Sequence, residues 1–144
     1  AFWVDYGCIR GNLLFCFDLK KLSSAQLCRN NNKVFFYDVG IRNCLIENFN
    51  PLDLRQDVGG LWENFLIAER RKKVTYQRLY GNAYYWRTYN GAELDYVEER
   101  DGRLHGYEFK WKKSSIRPPI TWQTDYADAD FAGINRVNYL DFVV

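Results

Sequence analysis

Glu63, Asp95, Glu108 and Lys110 are the residues of this 144-residue sequence whose types and spacing can do chemistry. The reason is register. Asp101-Gly102 is a dipeptide favoured in two-residue hairpin turns. With that turn in place Arg100 faces Arg103, Glu98 faces His105, and Asp95 falls opposite Glu108 while Glu93 falls opposite Lys110. Glu108 and Lys110 share a strand face about 6.6–6.8 Å apart along the chain. Counting back from the turn makes Asp95 and Glu108 a non-hydrogen-bonded pair, with Cβ atoms roughly 4.5–5.5 Å apart. Carboxylates so placed repel by about 4 kcal/mol at an effective dielectric near 20. Solvent, a proton or a cation must relieve that repulsion. A hard divalent ion, Mg²⁺ or Mn²⁺, suits such oxygen ligands. Glu63, on the polar side of a preceding helix, can add a third oxygen, and a lysine beside the ion can orient a water or stabilise phosphate charge. A plainer alternative stands beside this one: both acids face solvent on an open sheet, and Lys110 pairs with Glu93. A three-residue loop with a bulge would also shift the parity.

The elements that must position these residues follow from periodicity. A helix over residues 58–73, capped by Asp57, places Val58, Leu61, Trp62, Phe65 and Ala68 on one apolar face. Its basic end (Arg70, Arg71, Lys72, Lys73) suits the helix dipole. Strands at 83–88, 92–98 and 104–111 are separated by Asn90-Gly91 and Asp101-Gly102. On the third strand His105, Tyr107, Phe109 and Trp111 make the core side, and Leu104, Gly106, Glu108 and Lys110 the other. Beyond Pro118-Pro119 come a helix at 120–127, a strand at 131–135 and a terminal turn at 139–143. Upstream, strands are expected at 2–6 and 13–19, a helical turn at 22–28, a loop at 29–33 and a buried strand at 34–39. A short helix at 41–47 closes before Asn50-Pro51. The order is helix, strand, strand, strand, helix, strand. That predicts an α/β (α+β) fold with a mixed sheet, residues 33–144 forming the domain and residues 1–32 an N-terminal extension or the end of a preceding segment.

With 47% hydrophobic and 26% charged residues, the chain has the composition of a globular protein and not a disordered one. A net charge of +2 is too small to indicate a nucleic-acid partner, so any electrostatic case rests on local patches. No apolar run approaches the length of a membrane-spanning helix, and no leader pattern is present, so no membrane role is expected. Cys8, Cys16, Cys28 and Cys44 show no metal-ligand spacing, and His105 is the only histidine, which leaves a zinc site little to draw on. Reduced thiols and a cytoplasmic setting are expected. The chain lacks methionine and opens on the strand-like AFWVDY, so its natural start is expected upstream.

The runs GAELDYV (91–97) and YEFKW (107–111) resemble the D…E-x-K signature of the PD-(D/E)XK nuclease superfamily, and GGLWENF (59–65) resembles its preceding acidic helix. Together with KVFFYDVGIRN (33–43), WENFL (62–66) and YWRT (85–88), the series is similar to one group, the uncharacterised nuclease-like domain at the C-terminus of prokaryotic AAA+-type ATPases. That resemblance covers nearly the whole chain from Lys33 onward. It implies a restriction-endonuclease-like core and Mg²⁺ or Mn²⁺ held by Asp95, Glu108 and the carbonyl of Phe109, with Glu63 in support. Lys110 would be the catalytic lysine. It also implies an ATPase module upstream in the same polypeptide. No GxxxxGK[ST] occurs here, so ATP would bind only outside these residues.

Two basic clusters remain. Arg70, Arg71, Lys72, Lys73 and Arg78 read first as a helix end. Lys112, Lys113 and Arg117 lie near Lys110 in sequence and, with Arg87, are candidates for contact with nucleic acid. The expected activity is hydrolysis of DNA phosphodiester bonds. The rival expectation is a non-catalytic module that binds nucleic acid, a protein partner or its own ATPase.

Overall fold

Asp101 and Gly102 both adopt positive φ, 51° and 73°, the geometry of a tight hairpin whose twist matches that of its strands. The pairing is the expected one: Arg100 opposite Arg103, Glu98 opposite His105, and Tyr96 opposite Tyr107. In the computed structural model, residues 16–22, 33–112 and 115–144 are described. The strands are β1 (Cys16–Leu22), β2 (Lys33–Phe36), β3 (Asn82–Arg87), β4 (Glu93–Arg100), β5 (Arg103–Phe109) and β6 (Asp130–Ile134). The helices are α1 (Val39–Leu45), α2 (Val58–Tyr76), α3 (Ile120–Asp125) and α4 (Tyr139–Val143), with a 3-10 turn at Leu52–Leu54.

These strands form one mixed sheet in the order β2-β1-β3-β4-β5-β6. The β1–β3 and β5–β6 pairs are parallel and the others antiparallel. A mixed α/β fold is therefore present, with the expected run of α2, three strands, α3 and β6. Strand β1, drawn from the stretch expected to be an extension, lies between β2 and β3 in the sheet. Expectations for residues 2–6, 23–28 and 29–32 lie outside the described residues.

Apolar side chains cover both sheet faces. On one, Leu66, Ile67 and Ala68 of α2 meet Tyr85, Tyr96, Phe109, Ile134 and Phe142. On the other, Trp122 of α3 packs against Trp86, Leu94 and Val97. The aromatic side of β5 is thus the α2 side, as its alternation predicts for Tyr107 and Phe109. Gly106 leaves no room for a side chain beneath α3: a Cβ there would lie 2.7 Å from Leu94 Cδ1 and 3.0 Å from the Trp122 ring. We expect Gly106→Ala to cost about 1–3 kcal/mol of stability through overpacking, read as a lower urea midpoint with unchanged slope.

Three expectations are corrected. The strand expected at 34–39 ends at Phe36, because the Asp38 carboxylate accepts the Gly40 N–H at 2.6 Å and starts α1 at Val39. Helix α2 runs to Tyr76, three residues beyond the expected Lys73. Asp57 makes no side-chain cap on α2. Its carboxylate is instead clamped by Arg55, at 2.8 Å to each oxygen, and by Arg42 at 2.9 Å. Two guanidiniums offer stronger charge-assisted bonds than a main-chain amide does, and they hold the Asp57 carboxyl well below the usual range.

Candidate functional site

The acids gather where the central hairpin stops being regular. Between Tyr84 and Trp86 the β3–β4 register slips by a bulge, a device that re-aims side chains. The recorded β4–β5 ladder ends at Tyr96 opposite Tyr107, one step short of Asp95 and Glu108. There the Asp95 carboxylate accepts the Phe109 N–H at 2.8 Å, the bond a continuing ladder would give to a main-chain carbonyl. Asp95 is thereby fixed at the end of the hairpin, 7% exposed.

Glu63 of α2 and Glu108 of β5 complete an acidic cluster. Burial and the Asp95 charge push Glu63 up to about 7, against the pull of Lys33. Burial likewise raises Asp95, although the Phe109 N–H and the two nearby lysines favour its charged form. Burial and Asp95 raise Glu108, with Lys110 opposing. Lys110 Nζ lies 2.5 Å from Glu108 Oε1, and Lys33 Nζ lies 3.1 Å from Glu63 Oε1 and 5.2 Å from the centre of the Tyr85 ring. Burial works against charge on both lysines, yet their carboxylate neighbours raise both. The alternative pairing of Lys110 with Glu93 is not the one formed, since Glu93 faces Arg87 at 3.7 Å.

Does this set suit a divalent ion? The donors are hard oxygens, and Glu108 Oε2 is buried with no hydrogen-bond partner, a cost of about 1–3 kcal/mol unless something meets it. An ion placed there would answer both that orphan and the raised carboxyls, so the residues fit in kind. Their present positions are another matter. Among the described residues no three of His, Cys, Asp and Glu are grouped closely enough to hold an ion; Glu63 and Glu108 are each drawn to a lysine.

Each carboxyl of the cluster has a folded-state pKa above its ordinary value, so folding takes up protons here. The stability Glu63 contributes in this way is complete below the ordinary carboxylate range and is lost as pH rises through about 7. Glu63→Gln mimics the protonated form. It should therefore gain on the wild type by on the order of 2 kcal/mol as pH climbs through that range, measured by urea denaturation at a series of pH values. A constant difference between the two proteins would contradict the shift.

Lys33 is the member that sequence reasoning missed. Nothing local marks it, for it follows a polar asparagine run and only the sheet brings it to α2. Among the basic candidates, Lys112 and Arg117 are exposed, Arg87 is tied to Glu93, and Lys113 lies outside the described residues. The basic end of α2 is largely occupied by structure. Arg70 is buried on Glu98, Arg71 donates to the Tyr37 hydroxyl, Lys72 pairs with Glu69, and Lys73 reaches the Asp141 carbonyl. His105 lies 3.1 Å from Asp130, at the opposite end of β5 from Phe109 and the acids. No described helix is long and apolar enough to cross a membrane.

Fold and site together define a mixed α/β domain with a buried acid–lysine cluster at the end of its central hairpin. The chain belongs to the DUF4143 family, a domain of unknown function, whose model matches residues 58–133, more than half the chain. Two curated relatives, uncharacterised proteins of Mycobacterium bovis and Mycobacterium tuberculosis, are each 32% identical to it over 84 residues. That stretch is 57% of this chain and 18% of each relative, so the match spans less than a fifth of their length. No solved structure matches it significantly.

Proposed function

We propose that this chain is a nuclease-like domain of the PD-(D/E)XK kind, which hydrolyses DNA phosphodiester bonds with Mg²⁺ or Mn²⁺ as part of a larger cytoplasmic ATPase. The observation that carries the reading is the partnerless, buried Glu108 Oε2 in a cluster whose three carboxyls are all raised. Asp95, Glu108 and the Phe109 carbonyl would hold the ion, with Glu63 in support. When bound, the ion would supply a water of lowered pKa and charge compensation at the phosphate. The protein's own part is orientation: the Phe109 N–H fixes Asp95, and Lys110 is placed to meet phosphate charge. Lys112, Lys113, Arg117 and Arg87 would track the nucleic-acid backbone.

One observation favours a second reading. Lys33 and Lys110 already neutralise two of the acids, which suits a non-catalytic module that binds nucleic acid or protein and regulates its attached ATPase. Incubating the purified chain with plasmid and oligonucleotide in Mg²⁺, in Mn²⁺ and in chelator separates the two. Metal-dependent cutting supports the nuclease. Metal binding without cutting, under all conditions, supports the regulatory module.

A further inference from the structure

An apolar pocket of about 420 Å³ is walled in part by Leu61, Trp62, Phe65, Trp111, Arg136 and Tyr139. Its size falls within the roughly 300–1,000 Å³ typical of small-ligand sites. Two of its walls are chain neighbours of the acid cluster: Trp62 precedes Glu63, and Trp111 follows Lys110. The aromatic rings are braced against one another. Trp62 meets Trp111 and Tyr139 edge to face at 5.1 and 5.3 Å and stacks on Phe65 at 5.6 Å. The exposed Arg136 lays its guanidinium over the Trp111 ring at 4.9 Å. Among the described residues no carboxylate lies within ion-pair distance of it.

We propose that this pocket receives one unstacked base of a single-stranded nucleic acid whose backbone passes the acid cluster. The inference rests on the phosphodiester-cutting reading and adds to it the strandedness of the substrate. Flat aromatic walls accept any base by its π-face, and cations beside them accept the adjoining phosphates. A base entering over Trp111 takes the place of the guanidinium, which is then free to meet a phosphate. Lys112, the next residue in the chain after Trp111, is exposed and adds a second cation nearby in sequence. A base paired in duplex would first have to leave its stack, at a cost of a few kcal/mol. A protein surface is the competing use, since Leu45, Leu52 and Leu54 nearby in the chain are exposed. The four rings of the pocket, with Arg136 and no carboxylate among the lining residues, fit a flat anionic ligand better.

The test measures fluorescence anisotropy of a labelled ten-residue oligothymidylate and of a duplex of equal length, in chelator so that no cutting occurs. A second arm photo-crosslinks the strand through 5-iodouracil and locates the adduct by mass spectrometry. We expect the single strand to bind at least tenfold more tightly than the duplex. Trp111→Ala should weaken it about tenfold and Arg136→Ala severalfold, with adducts at Trp62, Trp111 or Tyr139. Should Trp111→Ala fail to fold, the exposed Arg136 and the crosslink still decide. Equal binding of the two ligands, unaltered affinity in Arg136→Ala, or adducts confined elsewhere would overturn the pocket. So would self-association that buries Trp111 without any oligonucleotide binding, which marks a protein surface instead. Cleavage that needs Asp95 without a pocket adduct removes only this inference, and a pocket adduct without cleavage removes only the nuclease reading.

Discussion

Asp95→Asn is expected to reduce metal-dependent cleavage of DNA at least about a hundredfold while leaving the fold intact. Loss of a residue that merely supports a metal ligand costs roughly 10–100-fold, and Asp95 is proposed as a ligand itself. The substitution is nearly isosteric, and the asparagine oxygen can still accept the Phe109 N–H that the carboxylate now takes at 2.8 Å. Folding should be unharmed for a second reason. Burial already disfavours the Asp95 anion, so removing the charge relieves a strained environment. Cleavage rate and thermal midpoint must be measured on the same preparation. A variant that folds normally and cuts at the wild-type rate, or a wild type whose cutting survives chelator, would assign the activity to a contaminant.

The largest loss of stability is expected from Arg70→Met. The Arg70 guanidinium holds both oxygens of Glu98 at 2.7 and 2.8 Å and donates to the Phe142 carbonyl at 2.8 Å. It also lies 4.9 Å from the centre of the Phe142 ring. It thereby ties α2 to β4 and to α4 from a position 6% exposed. Removing one partner of a buried pair leaves the other uncompensated, at roughly 3–5 kcal/mol. Arg100, whose Nε lies 3.0 Å from Glu98 Oε2, keeps part of that compensation, which places the expected loss at the lower end. Replacing both partners, as Arg70→Met with Glu98→Leu, should recover most of the loss, because the ion pair's desolvation penalty disappears with it. Urea denaturation of the two single variants and the double variant measures the coupling. Additive losses would show that the pair does not act as a unit.

The site was legible where local chemistry fixes geometry. Asp101-Gly102 dictates a turn type, the turn dictates the hairpin register, and the register brings Asp95 toward Glu108; the recorded ladder keeps that register through Tyr96 and Tyr107. The same local reasoning failed at Asp57 and Asp38. Both are good helix-capping residues, but only Asp38 caps, because Asp57 has two arginines within reach. Helix α2 was misjudged in its buried face as well. Leu66 and Ile67 are completely buried, whereas Val58, Leu61 and Phe65 are only partly covered and line the pocket. Periodicity identifies an apolar stripe without saying what will cover it.

Turn residues, alternation and helical period by themselves determined the order of elements from α2 onward, the central hairpin and the candidate acids. Tertiary structure alone decided that β1 enters the sheet between β2 and β3, that Lys33 meets Glu63 across 30 positions of chain, and that Arg70 is buried on Glu98. The physical reason is range. Turns and periodicities are set by contacts a few residues apart, whereas an ion pair between distant elements depends on how the sheet and its helices are stacked.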